Sequence, residues 1–293
     1  MKTIFQKYEQ NPIFGGGDLG TCFDVYVSRD NGRYRMDFSW RPKLALAVTF
    51  SDDGIHWEDP IITLEPRAES GWEDKLNRNC VIKVDGKYKM WYTGQARGHS
   101  FIGFAESDDG IHFERVCDQP VLFCERAWEG FSVMNPCVRY ESGKYRMWYA
   151  AGETYEPNVL AYAESDDGIH WVKSPINPIY VKDKNNDYEA DRVGGCYIEK
   201  TEDMGYVMFY IGYRDIHTAN ICVAKSPDGI TRWERSKHNP LVVPTPEGWD
   251  AAACYKPSAL WNEKENKWML WYNGRIGRDE RIGLVTKAGR ELF

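Results

Sequence analysis

Short runs in which aromatic and apolar residues alternate with polar ones recur along the chain. YRMDFSW occupies 34–40, YKMWYTG 88–94, YRMWYAAG 145–152, YVMFYIG 206–212 and WMLWYNG 268–274. Residues of this kind suit a pleated, half-buried surface, so each run predicts a β-strand. The first four are each followed by a turn signature. Ser51-Asp52-Asp53-Gly54-Ile55-His56-Trp57 returns at 107–113 and 165–171, and in weaker form at 226–233. Asp tolerates the left-handed backbone and Gly adopts positive φ freely, so each copy predicts a tight hairpin turn. A period of roughly 50–60 residues with about four strands per unit is the spacing of propeller blades.

Five runs predict an all-β, five-bladed β-propeller, a single domain over 1–293. After three of the turns an aromatic precedes a Pro-hydrophobic pair: Phe113 to Pro120-Val121, Trp171 to Pro178-Ile179, Trp233 to Pro240-Leu241. The same spacing runs from Phe5 to Pro12-Ile13, whereas the last unit, ending RIGLVTKAGRELF, lacks an outer strand. Residues 3–13 are therefore expected to complete the last blade and close the ring, which removes an open sheet edge.

Composition narrows the function classes. With 42% hydrophobic and 14% aromatic residues the chain is too apolar for a disordered one. A net charge of −7 argues against nucleic acid or an anionic membrane as partner. No apolar run approaches the roughly 18 residues of a membrane span. The N-terminal MKTIFQKYEQNPIF has no signal-peptide h-region, so a cytoplasmic location is expected. None of the eight cysteines forms a CxxC pair, which speaks for buried thiols rather than a zinc knuckle.

The repeat provides an internal control. Residues present in every unit are expected to be structural, and polar residues present in one unit are functional candidates. Superposing the units aligns Asp24, Asn79, Asn135, Gly195 and Lys256 near the start of each first strand. Upstream, an acid recurs as Asp18, Glu73, Glu129, Glu189 and Asp250, which reads as a blade-to-blade hydrogen-bond role. His56, His112 and His170 belong to the turns. Asp24, Asp37 and Asp191 are asymmetric. The loops after the aromatic runs carry Arg41, Gln95, Arg97, His99, Glu153, Tyr155, Arg214, Asp215, His217, Arg275 and Arg278, and Tyr255 and Lys256 join them. Charged groups for hydroxyls and aromatic faces for C–H surface describe a sugar pocket.

The five units, the SDDGIHW turns, the KMWYTG-like strands and the GWD…YKPSALW…LWYNGR tail resemble the five-bladed propeller glycosidases of families 32 and 43 and the mannoside phosphorylases of family 130. In families 32 and 43 a first-blade Asp is base or nucleophile, and Asp24 stands at that position. Asn135-Pro136 stands where a tuning Asp-Pro is expected, and Gly195 where the acid Glu is expected. The resemblance thus implies a glycoside hydrolase of small oligosaccharides or glycosides, exo-acting and inverting. Asp24 would be its base and Asp191 or Glu189 its general acid. Arg41, Asn79, His99, Asn135, Glu153, Arg192, Arg214, His217, Tyr255, Lys256 and Arg275 would bind the substrate, with no cofactor and no metal.

Two rivals remain. Arg41, Arg97, Arg192, Arg214, Lys256 and Arg275 are more cations than a neutral sugar needs, and they favour a phosphate-dependent phosphorylase. Against it, the Glu-Asp-Pro-Arg stretch of family 130 is missing, and Glu73-Asp74-Lys75 only approximates its start. Asn135 and Gly195 are also what a non-catalytic sugar-binding propeller would retain. A metal variant would pair His99 and His217 with Asp24 or Asp191.

Overall fold

The structure, a computed structural model, describes residues 3–153 and 157–293; Tyr155 lies outside them. The fold is all-β. After β1 (Gln6–Lys7) the strands come in consecutive antiparallel groups of four. The first is β2 (Cys22–Asp30), β3 (Arg33–Trp40), β4 (Ala45–Ser51) and β5 (Ile61–Leu64). The second is β6 (Lys75–Val84), β7 (Lys87–Ala96), β8 (His99–Ser107) and β9 (Glu114–Arg115). The third is β10 (Ser132–Glu141), β11 (Lys144–Gly152), β12 (Pro157–Ser165) and β13 (Val172–Lys173). The fourth is β14 (Arg192–Thr201), β15 (Gly205–Tyr213), β16 (Ala219–Ser226) and β17 (Glu234–Arg235). The last holds β18 (Ala253–Asn262), β19 (Lys267–Ile276) and β20 (Asp279–Ala288), and β1 pairs with β20 through Gln6–Thr286 and Lys7–Val285.

The repeated residues build the joints. In each SDDG turn the second Asp accepts two backbone N–H groups, as Asp53 Oδ1 does from Ile55 and His56 at 2.8 and 2.9 Å, and the Ser hydroxyl accepts from the Gly. The His of the motif bonds the same Asp and is exposed. The Gly carbonyl then receives an indole N–H from the neighbouring unit: Trp91 on Gly168 at 2.8 Å, Trp148 on Gly229 at 2.7 Å, Trp271 on Gly54 at 2.8 Å. In the first unit Asp37 takes the tryptophan position. It holds Arg35 through two 2.7 Å bonds, and Arg35 Nη1 reaches Gly110 O at 2.7 Å. The asymmetry of Asp37 is thus a substitute joint.

The recurrent acids act within a unit, which corrects the expected blade-to-blade role. Each buried acid accepts from a second-strand tyrosine and an outer-strand cation: Glu73 from Tyr92 and Arg115, Glu129 from Tyr149 and Lys173, Glu189 from Tyr210 and Arg235. Asp250 accepts from Tyr272 at 2.9 Å and from Lys7 at 2.5 Å, so β1 supplies the outer-strand cation of the last unit. Asp18 departs from the set; it is exposed, and Phe38 replaces the tyrosine. Asn11 bonds both backbone groups of Leu284 at 2.8 Å, the arrangement that Asn177 makes with Tyr162 and Asn239 with Val223. An apolar layer joins first and last units, with Phe14, Val25 and Phe38 against Trp271 and Leu284. The first strands pack side by side: β2 on β6 and β18, β10 on β6 and β14, and β14 on β18.

Candidate active site

Each first strand breaks register at one place, a bulge that lies between Phe23 and Tyr26, Asn77 and Cys80, Met134 and Cys137, Gly194 and Cys196, and Tyr255 and Ser258. The bulged residues Asp24, Arg78, Asn135 and Lys256 have φ of 59°, 53°, 55° and 49°. Left-handed backbone in residues with a Cβ costs energy and clusters at functional sites. Polar side chains of neighbouring units hold it: Ser39 Oγ accepts from Arg78 N at 3.1 Å and Thr93 Oγ1 from Asn135 N at 3.2 Å. Just past the bulge, Ser258 Oγ, Cys80 Sγ and Cys137 Sγ accept from Val27, Val138 and Ile198 N–H.

Arg78, rather than Asn79, is therefore the second unit's equivalent of Asp24. The stretch from Trp72 to the bulge is one residue shorter than in the other units, which shifted the alignment. Asn79 is fully buried and does not line the cavity. Gly195 has a steric reason too: a Cβ there would sit 2.6 Å from Asn135 Cγ.

The bulges surround a cavity of about 220 Å³ whose lining includes Asp24, Arg78, Asn135 and Lys256 together with Arg41, Tyr255, Arg275 and Glu280. Asp24 is 1% exposed. It accepts from Ser39 Oγ at 3.2 Å, and Arg78 Nε stands 3.9 Å away. Among the described residues no ion pair joins it to Lys256. Burial lowers the Lys256 pKa, and the Asp24 charge opposes that shift. Glu280, the second residue of β20, pairs with Arg275 and accepts from Tyr255 Oη and Arg41 Nη2. Burial raises its pKa, and Asp24 adds to the rise against Arg41 and Tyr255. A carboxyl biased towards its protonated form thus shares one cavity with a second carboxylate and four cations.

Glu280 and Arg78 escaped the sequence reading. Glu280 was legible by the same asymmetry rule: where it pairs with Arg275 near the start of the third strand, other units place Ser100, Pro157 and Ala219.

Of the expected site residues, Asp24, Arg41, Asn135, Tyr255, Lys256 and Arg275 come together at this cavity. Glu189 does not; both its oxygens serve the structural network of the fourth unit. Asp191 Oδ2 is held by Arg192 Nε at 2.6 Å, and Arg192 reaches Glu153 at 3.1 Å, a triad outside the cavity lining. His99 stacks on Phe101, while Arg214 and His217 are exposed, with His217 O accepting from Arg275. Among the described residues no group of three or more His, Cys, Asp or Glu is placed to hold a metal ion, and no helix is long and apolar enough to cross a membrane.

Residues 83–285 match the profile of glycoside hydrolase family 130, described as beta-1,4-mannooligosaccharide phosphorylase. The chain belongs to family 130. That family sits in the five-bladed propeller-type superfamily of glycoside hydrolases, and its members cleave glycosidic bonds by phosphorolysis or hydrolysis. An uncharacterised protein of Mycobacterium tuberculosis is 26% identical over 272 residues, 88% of this chain and 86% of the relative. The 1,2-beta-oligomannan phosphorylase of a Thermoanaerobacter species is 27% identical over 233 residues, 76% and 72% of the two chains. A solved structure from the mannoside phosphorylase family 130, described as containing glycoside hydrolases that target beta-1,2 mannosidic linkages in Candida mannan, superposes with a TM-score of 0.73. Its identity is 14%, over 99% of this chain and 95% of that one.

Proposed function

We propose that this chain is a single five-bladed propeller, closed by its N-terminal strand, that cleaves a β-linked mannoside with inorganic phosphate. One observation carries the phosphorolytic reading: Arg41, Arg78, Lys256 and Arg275 outnumber Asp24 and Glu280 around the cavity, a balance suited to an anion. The mannoside comes from the names of the relatives. In this reading Glu280, whose pKa burial raises, gives its proton to the glycosidic oxygen. Phosphate held by Arg78, Lys256 and Arg275 attacks the anomeric carbon as the bond to the leaving group breaks. One displacement inverts the configuration and yields a sugar 1-phosphate. Asp24 accepts a hydrogen bond from a sugar hydroxyl and balances Lys256.

Hydrolysis is the second reading, favoured by the placing of two carboxylates on one cavity, since Asp24 could activate water while Glu280 serves as acid. Incubation of β-mannobiose with and without phosphate separates them. Phosphorolysis predicts mannose 1-phosphate only when phosphate is present. Free mannose released at the same rate in both tubes overturns it and leaves hydrolysis. No release in either tube overturns both.

A further inference from the structure

Beside the charged cavity lies a larger one of about 370 Å³, and the two share Phe23, Arg41 and Arg78. Its wall adds Trp40, Leu44 and Leu76, with Lys75, Asn77 and Gln95. Most of the polar groups there already have partners inside the protein. Trp40 Nε1 donates to Leu19 O at 2.8 Å, Asn77 Nδ2 to Gln95 Oε1 at 2.6 Å, and Gln95 Nε2 to Ser100 Oγ at 2.9 Å. Arg41 bonds Glu280 and lies 4.4 Å over the Phe23 ring. Lys75 is exposed. What this leaves for a ligand is mainly ring and hydrocarbon surface.

Leu44 adds an independent observation. It ends the 3-10 turn Arg41–Lys43 in the left-handed region, with φ 54° and ψ 18°. Gly or Asn normally takes such a position, because an aliphatic side chain is strained there. Leu44 is also 47% exposed, so burial in the core does not explain the choice. Both facts fit a side chain kept for contact with something that enters the compartment. A second sugar ring would set several of its hydroxyls against the carbon surface of Phe23, Trp40, Leu44 and Leu76, and hydroxyls buried without partners are costly. An alkyl or aryl group needs none.

We propose that the compartment formed by Phe23, Trp40, Leu44 and Leu76 receives an apolar leaving group, so that the enzyme favours alkyl or aryl glycosides over plain mannobiose. This rests on the reading that the bond is cleaved beside Asp24 and Glu280. Titration calorimetry with hexyl β-mannoside and methyl β-mannoside tests it. The wild type should bind the hexyl glycoside about tenfold or more tighter, because each buried methylene adds affinity. Leu44→Asn should lose most of that gain while melting no lower than the wild type, since Asn tolerates the left-handed backbone. Trp40→Ala should lose it too. Equal affinity for the two glycosides, no binding of the hexyl glycoside, or a gain that survives in both variants overturns the proposal. Phosphate-dependent cleavage of mannobiose by the wild type is read separately. If cleavage stands without a hexyl preference, only this inference falls; a hexyl preference without cleavage of either glycoside removes the proposed function instead.

Discussion

Glu280 pairs two properties that a general acid needs: it lines the cavity, and burial holds its pKa above the ordinary carboxyl value. The folded chain therefore binds that proton more tightly than the unfolded chain. Its contribution to stability is full below about pH 4.3, the usual glutamate pKa, and is lost as pH rises through the higher folded value. Glu280→Gln cannot donate a proton. It should lower kcat on mannobiose by roughly 10²–10⁴-fold and spare the 4-nitrophenyl mannoside, whose leaving group needs no protonation. The alkaline limb of the pH profile should vanish with it, and equal losses on both substrates would remove Glu280 from the acid role. Lys256→Met probes the anion. A charged hydrogen bond worth about 1.5–3 kcal/mol predicts a KM for phosphate raised ten- to a hundredfold with the KM for mannobiose unchanged, and steady-state kinetics in both substrates decides it. Asp24 was legible as the lone acid among the bulge positions. Arg78 was hidden by a one-residue difference in loop length, because side-chain identity alone does not mark a left-handed bulge. Asp191 shows the limit of the asymmetry rule: an asymmetric acid that lies outside the cavity lining, with Oδ2 held by Arg192.

Strands and turns were the most legible elements, because period-two alternation and the SDDG signature are both local. Their docking was not legible, since an indole N–H on a distant glycine carbonyl leaves no local trace. Trp148 donates to Gly229 O across 81 positions of sequence and is fully buried. Trp148→Phe keeps most of the apolar volume and leaves that carbonyl without its donor. An unsatisfied buried group costs about 1–3 kcal/mol, which lowers Tm by several degrees in a chain of this size. Trp148 pairs with Cys137, which closes the Asn135 bulge, but it does not line the cavity, so kcat/KM at 25 °C should stay within about twofold of wild type. A loss of activity without a change in Tm, seen by calorimetry and kinetics on one preparation, would place Trp148 in the site rather than the joint.

At the scale of the molecule, the acid-tyrosine-cation triads tell which segment belongs to which unit. In the second, third and fourth units the cation comes from the outer strand of the same group of four; in the last it is Lys7, which is 243 positions from Asp250. The missing outer strand was readable from Pro12-Ile13, but Lys7 was not, because a single lysine in a polar N-terminus carries no pattern. Asp250 is fully buried, and although burial raises its pKa, the Lys7 charge and hydrogen bond together with the bonds from Thr245 and Tyr272 leave it lowered. A lowered carboxyl contributes stability above its unfolded pKa, and the contribution is lost as pH falls through the folded value. Lys7→Met strands the charge and should cost on the order of 3 kcal/mol at pH 7, at the low end because Lys7 is partly exposed. The deficit should shrink as pH falls, because the stranded Asp250 can then take up a proton. Lys7→Met combined with Asp250→Asn should recover much of the loss at pH 7, because neither partner then carries a charge. If the N-terminal strand closes the ring, the single variant melts in one cooperative transition at lower temperature. If it is only a peripheral strap, the main transition seen by differential scanning calorimetry stays at the wild-type temperature, and ring closure through Lys7 is wrong.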